Sequence, residues 1–139
     1  SATEDRAVVD NLRQYGEAIG VAFQIRDDLL DYLGKESTIG KPVGGDLKEK
    51  KFTLPLIHAF GNAPDKKRKD VLRAVKRGVK RGDIDAIVQF VQEYGGIEYA
   101  KNTANDYRDR AIALLDDLPA SRAKQALIDL AHFVVDRAK

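Results

Sequence analysis

The chain has 139 residues, with 24 Lys and Arg against 22 Asp and Glu and a formal net charge of +2, so no strong overall field selects nucleic acid or a membrane surface. It contains no cysteine, which removes disulfides, thiolate zinc sites and cysteine nucleophiles. No apolar run approaches the roughly 20 residues needed to cross a bilayer, and no signal peptide is visible, so a cytoplasmic setting is compatible with the chain.

The pattern predicts helices throughout. The first runs from Glu4 to Leu33 with Thr3 as its N-cap. Its apolar stripe is Ala18, Ala22, Ile25, Leu29 and Leu33. On the other side, with Asp27 placed at 0° and steps of about 100° per residue, Asp31 falls near ~40°, Gln24 near ~60° and Asp28 near ~100°. Gly16 and Gly20 lie on that same side, so the turns before the carboxylates present no side chain there. A solvated acidic face is the plain alternative. Against it, like charges at i,i+4 cost about 0.2–0.5 kcal/mol. If the helix stops at Gly34, its dipole further disfavours Asp31 in the last turn by roughly 0.3–1 kcal/mol.

Thr38 to Lys51 follows. Three glycines and a proline between Gly40 and Gly45 rule out a regular helix there. The stretch predicts a flexible loop carrying Lys41, then Asp46, then a lysine cluster that ends at Lys51. Such a loop can fold over phosphate groups, offering backbone N–H donors and mobile cations. Many glycine loops are only turns, but beside an acidic trough this one suggests a divalent-metal diphosphate site. Mg²⁺ commonly takes one or two carboxylates, keeps waters and bridges to substrate phosphates.

The remaining segments also read as helices. Thr53 to Phe60 is short and apolar, with Pro55 tolerated in its first turn. Asp65 to Lys80 repeats Val71, Leu72, Val75 and Val79, and Asp83 to Tyr94 carries Ile84, Ile87, Val88 and Val91 with Asp83 as cap. Ile97 to Leu118 sets Ala100, Ala104, Tyr107, Ala111, Leu114 and Leu118 at alternating spacings, a seam for antiparallel packing. Pro119 opens the last helix, with Ala126, Leu127, Leu130, Phe133 and Val134 inward. No segment alternates with period two, so the expected fold class is all-α, an antiparallel helical bundle forming one domain over residues 1–139.

Three other features carry bland readings. Lys66, Lys67, Arg68, Lys69, Arg73, Lys76, Arg77, Lys80 and Arg81 crowd one segment, yet its apolar stripe is intact and it has no aromatic residue for base stacking, so it reads as a solvated face and not a nucleic-acid site. Asp116 and Asp117 sit where a helix ends and have no glycine-lysine loop nearby, which makes them surface acids. His58 and His132 are lone histidines without a carboxylate or serine at triad-like spacing, and both read as structural.

Phe23-Gln24-Ile25-Arg26-Asp27-Asp28-Leu29-Leu30-Asp31 resembles the second aspartate-rich motif of the trans-isoprenyl diphosphate synthases, or polyprenyl synthetases. The stretch from Gly40 to Ile57 resembles the loop and helix that follow that motif, and Tyr94 to Ala100 a glycine-broken junction of bacterial long-chain members. The resemblance covers nearly the whole chain, and the helix around Thr53 to Phe60 is nearer the octaprenyl and heptaprenyl type. It implies the C-terminal portion of the isoprenoid synthase fold and a prenyltransferase. In such enzymes Mg²⁺ assists loss of diphosphate from an allylic diphosphate, and the double bond of isopentenyl diphosphate attacks the resulting cation, with no protein nucleophile.

By motif, the resemblance makes Asp27 a direct metal ligand and Asp28 and Asp31 direct or water-mediated ones. Asp46 supports the outer metal shell and orders the loop, Lys41 and Lys51 contact diphosphate oxygens, and Phe23 and Gln24 line the reacting end. The departure is that the family's first aspartate-rich motif, facing this one, is absent along with the upstream basic residues. The expectation is therefore a C-terminal fragment, inactive alone, with faces that favour self-association, from an enzyme that is a homodimer at full length. Two other readings stay open. A non-catalytic subunit of a heteromeric synthase is one, against which the three retained aspartates count. A helical module binding a metal for structural reasons is the other, against which the glycine-lysine loop counts.

Overall fold

The computed structural model describes residues 2–33, 44–49 and 51–136. Among these, all regular structure is helical, as the pattern predicts: α1 (Ala2–Leu33), α2 (Gly45–Lys48), α3 (Leu54–Asn62), α4 (Asp65–Arg77), α5 (Arg81–Glu93), α6 (Gly96–Ala113) and α7 (Arg122–Asp136). No helix among the described residues is long and apolar enough to cross a membrane. The chain sorts into two compact units, one of residues 2–26 with 102–136 and the other of residues 27–101, so α1 and α6 each give a segment to both.

α1 starts at Ala2, which places Thr3 inside the first turn and not at the cap. Glu4 and Asp5 in that turn complement the helix dipole. On its exposed side Arg13 is held by Asp10 at 2.6 Å and Glu17 at 2.7 Å, the i,i+3 and i,i+4 spacings at which helix side chains meet.

The first unit is built on small side chains. Tyr15, Ala18, Ala111, Leu115 and Ala131 form a buried cluster, with Ile19, Tyr107, Leu127 and Ile128 packed around it. The Tyr15 hydroxyl donates to the Leu127 carbonyl at 2.6 Å, and burial pushes its phenol pKa up. The last helix is rotated from the expected arrangement. Leu127, Ile128, Ala131, Val134 and Val135 turn inward, whereas Ala126 is exposed and Leu130 and Phe133 are 45% and 64% exposed. The inward set recurs at the 3.6-residue period with Ala131 at its centre, where a methyl lets the helices approach more closely than Leu130 would.

Helix boundaries differ from expectation for local reasons. α6 stops at Ala113 and not Leu118, giving way to short i→i+3 turns such as Leu115 N–H to Ile112 O at 3.0 Å. Asp116 and Asp117 oppose the dipole at a helix C-terminus, and Pro119 biases its predecessor away from helix. α7 begins at Arg122, not Pro119, because Ser121 Oγ accepts the Lys124 amide at 3.0 Å, a side-chain N-cap. α4 ends at Arg77, short of Lys80, where Gly78 takes φ 103°, a backbone conformation that side chains disfavour. Asp83 is three positions inside α5 and not its cap, and its carboxylate reaches back to the Lys80 amide at 2.9 Å. Arg77 hydrogen-bonds that carboxylate at 2.9 Å, and this, ahead of the amide, holds its pKa below the ordinary value.

The second unit holds larger residues. Leu29, Leu47, Leu56, Ile87 and Val91 are almost completely buried, each contributing about 1.5–3 kcal/mol from removal of apolar surface. α3 packs against α5, and an aromatic run links Phe52 to Phe60 at 5.9 Å, Phe60 to Phe90 at 5.8 Å and Phe90 to Tyr94 at 5.2 Å. His58 is structural as expected, stacking on Tyr99 at 3.9 Å with Asn62 2.9 Å from its Nε2. The closest approach is at Gly96, where an added Cβ would lie 2.1 Å from the Pro55 carbonyl oxygen and 2.8 Å from Val91. By contrast, Cβ atoms at Gly16 or Gly20 would meet nothing within 4 Å.

Backbone cannot yield at Gly96 as a flexible side chain could. Gly96→Ala is expected to cost at least about 2 kcal/mol, at the upper part of the range for overpacking. The readout is denaturant unfolding, in which Gly16→Ala serves as the neutral or stabilising control.

Candidate functional site

The site forms where α1 ends. Its last turn departs from a simple two-faced helix: Leu29, Leu30, Asp31 and Tyr32 are all buried, while Leu33, expected inward, is 37% exposed. A helix covered on nearly every side at its end is being gripped by something, and here that is the chain returning from residue 44 onward.

Asp31 makes this grip. Its side chain is 0% exposed, and Oδ1 accepts the Asp46 amide at 3.1 Å. Its backbone carbonyl accepts the Gly44 amide at 3.0 Å. Both donors lie at the start of α2, whose first amides have no partner within the helix, so Asp31 serves as a cap supplied from a distant part of the chain. Gly44 adopts φ 81° and a Cβ there would lie 2.9 Å from Ile84, so only glycine suits this corner. The Asp46 carbonyl then accepts the Lys51 amide at 2.8 Å, which carries the chain on to Thr53.

Tyr32, the next residue, secures the far end of the same segment. Its hydroxyl lies 3.4 Å from Thr53 Oγ1, the residue that precedes α3. Burial raises the Tyr32 phenol pKa strongly; the Thr53 hydrogen bond opposes this, and the negative field of Asp31, Asp46 and Asp28 adds to it. The phenol is therefore a neutral, fixed hydrogen-bonding group at any ordinary pH. Lys51 feels the same acids from outside. Its ammonium pairs with Glu49 at 2.8 Å, which raises its pKa foremost, and Asp46 and Asp28 act in the same direction.

Of the residues singled out from sequence, the structure thus gathers Asp28, Asp31, Asp46 and Lys51 into one neighbourhood of the second unit. Asp27 and Asp28 are partly exposed, and Asp27 precedes Asp28 at the start of the same helical segment. Phe23, 41% exposed, and Gln24 belong to the first unit, one turn earlier on α1. Lys41 lies outside the described residues, as do positions 34–43 and 50 of the expected loop. Tyr32, Thr53 and Gly44 were not singled out as site residues. Their only signal in sequence is that they flank Asp31, Asp46 and the start of α3.

Among the described residues, no group of three or more Asp, Glu, His or Cys is gathered closely enough to enclose a metal ion. The donor chemistry nevertheless suits a hard divalent cation: two partly exposed carboxylates at Asp27 and Asp28, in a chain without thiolates. Mg²⁺ takes few protein ligands and completes its shell with water and phosphate oxygens, so an open carboxylate pair is the fitting form. Ca²⁺ also takes oxygen ligands, but more of them.

Comparison with known proteins places the whole chain. The family model described as Polyprenyl synthetase matches residues 1–91. Octaprenyl diphosphate synthase of Haemophilus influenzae is 40% identical over 126 residues, covering 91% of this chain and 38% of that protein. Heptaprenyl diphosphate synthase component 2 of Geobacillus stearothermophilus is 34% identical over 130 residues, 94% of this chain and 40% of its own length. Among solved structures, a polyprenyl synthase from Caulobacter crescentus CB15, complexed with calcium and isoprenyl diphosphate, superposes with a TM-score of 0.87 at 36% identity, covering 94% of this chain and 40% of that one. The chain therefore spans about two fifths of the length of the relatives it matches. Sharing both their sequence and their all-α fold, it belongs to the polyprenyl synthetase family.

Proposed function

We propose that this chain forms one wall of a polyprenyl diphosphate synthase, which joins an allylic diphosphate to isopentenyl diphosphate with loss of diphosphate. The observation that carries the reading is the pair Asp27 and Asp28, set beside a glycine-lysine segment that Asp31 fastens to the same helix end. When bound, Mg²⁺ would neutralise the leaving diphosphate as a Lewis acid.

In this reading the residues divide the work by their burial. Asp27 and Asp28, partly open, hold the ion. Asp31, buried and engaged with the Asp46 amide, keeps the segment from Gly44 onward in place, a role other than the direct or water-mediated ligand the motif implies. Asp46 contributes to that order through its backbone and adds its carboxylate to the outer shell. Lys51 leaves Glu49 to meet diphosphate oxygens, an exchange between partners that are both more than half exposed and so costs little. Lys41, outside the described residues, is assigned the same contact by the motif alone. Gln24 orients the diphosphate or the isopentenyl unit, and Phe23 gives the reacting end an apolar border. No side chain needs to act as a nucleophile, and positioning with electrostatic stabilisation supplies the rate.

A single acid-bearing wall does not close around two substrates. The chain is read as acting within a longer polypeptide that presents the opposing acids, as a dimer in a cytoplasmic setting, and as inactive without that wall. Its coverage of about two fifths of its relatives' length supports the longer polypeptide.

Two measurements test the assignment in the native-length protein. Calorimetry with MgCl₂ alone should show weak binding, and with inorganic pyrophosphate present much tighter binding. Asp27→Ala should abolish that gain and lower turnover by at least ~10²-fold, the scale of losing one group that stabilises developing charge, with the circular dichroism spectrum unchanged. Near-normal turnover would falsify the metal role. For the brace, Asp31→Ala should release the Asp46 amide to rapid hydrogen exchange, with the Gly44 amide still held by the residue 31 backbone carbonyl, and cost about 1–3 kcal/mol, the penalty for orphaning a buried donor. Asp31→Asn, which keeps an acceptor oxygen, should preserve most of the protection. If Asn proves no better than Ala, the charge of Asp31 and not its hydrogen bond is what matters.

A further inference from the structure

We propose that the outer face of α4 docks on an anionic lipid bilayer surface. Residues 65–81 carry nine of the chain's 24 basic residues and two of its 22 acidic ones, so this stretch is +7 while the other 122 residues together are −5. A chain of nearly balanced charge has thus placed a concentrated positive surplus in one short segment. The surplus also has a direction. On α4, Lys66, Lys69, Arg73, Lys76 and Arg77 recur at intervals of three, four, three and one, which keeps them within about 100° of arc along roughly 16 Å of helix.

The flanking bases Lys67 and Arg68, and the two arginines of the outer face, each face an acid. Lys67 pairs with Glu93 at 3.2 Å and lies over the Tyr94 ring, and Arg68 pairs with Asp65 at 3.0 Å. Arg77 reaches Asp83 at 2.9 Å, and Asp70 is 4.0 Å from Arg73. These four acids therefore lean toward bases already accounted for. Lys66, Lys69, Lys76, Lys80 and Arg81 are exposed and enter no ion pair among the described residues. Lys69, Leu72, Arg73, Lys76 and Arg77 line a shallow open groove of about 500 Å³, so a partly buried leucine sits among the cations.

Lysine ammonium groups on flexible stems around an apolar floor suit a fluid array of phosphate headgroups. A nucleic acid would draw on aromatic stacking, and α4 has no aromatic residue, while its arginines Arg68, Arg73 and Arg77 each face an acid of the chain. The proposed activity gives the contact a purpose, since its product is a long hydrocarbon on a diphosphate, an amphiphile that leaves water for a membrane. The docking itself does not require that activity, and Asp27→Ala should bind vesicles as the native protein does.

The test is co-sedimentation of the native-length protein with phosphatidylcholine vesicles, with and without phosphatidylglycerol. Binding should require phosphatidylglycerol and should vanish near 1 M salt, where the screening length is about 3 Å. Each lysine near such a surface is worth about fivefold in affinity. Replacing Lys66, Lys69 and Lys76 together by Gln, which keeps helix propensity, should therefore weaken binding about a hundredfold with the melting temperature unchanged. Three results would overturn the proposal: no preference for phosphatidylglycerol, undiminished binding by the triple variant, or binding to single-stranded RNA in place of vesicles at the same ionic strength.

Discussion

Everything at the candidate site depends on how one carboxylate, Asp31, is spent. Buried among Leu29, Leu30 and Tyr32, it would be costly to keep there without hydrogen-bond partners. It takes the Asp46 amide with its side chain and the Gly44 amide with its carbonyl, meeting two donors that the start of α2 could not satisfy internally. The same contact fixes Gly44 and Asp46 against the end of α1, and through the Lys51 amide on the Asp46 carbonyl it leads on to Lys51 and Thr53. Removing it would disconnect the acids of α1 from the cations that follow.

The rest of the second unit keeps that contact from drifting. Tyr32 and Thr53 tie the segment at its far end, and Gly96 lets the backbone of Pro55 come closer than any side chain would permit. α3 is thereby held between its own N-terminal tether and the start of α6, while the run of rings from Phe52 to Tyr94 fills the space toward α5. Acids, anchor and packing are parts of one hydrogen-bonded and packed arrangement.

Much of this was legible in the sequence. Period, glycine and proline placement gave six of the seven described helices their approximate positions, and the order of acids, glycines and lysines marked the site region. The short α2 was missed, because Gly45–Lys48 fell in a stretch whose glycines predicted a loop, whereas Gly44 takes the φ 81° turn and Asp31 meets the Asp46 amide that starts the helix. Other features were not legible either. The helical wheel placed Asp31 with Asp27 on an open face, because a wheel describes one helix and cannot know that a later segment covers its end. The rotation of α7 was missed because Leu130 and Phe133 are larger than Ala131, and size suggests burial unless close approach is what the interface requires. Boundaries failed where a single local contact decided them, as with the Ser121 hydroxyl and the turn at Gly78. The role of Tyr32 depends wholly on Thr53, which lies 21 positions away.

The bare turns of α1 carry a thermodynamic consequence. Gly16 and Gly20 have open space where a methyl group would sit, so no neighbour within the chain demands glycine at either position. Each nonetheless makes the helix weaker than alanine would, by roughly 0.8–1 kcal/mol. The longest helix among the described residues is therefore least intrinsically stable midway along its length, a turn or two before the acids near its end. Its straightness there depends on the side that carries Tyr15, Ala18 and Ala22, and any loss of packing on that side would be felt first as bending at these two glycines.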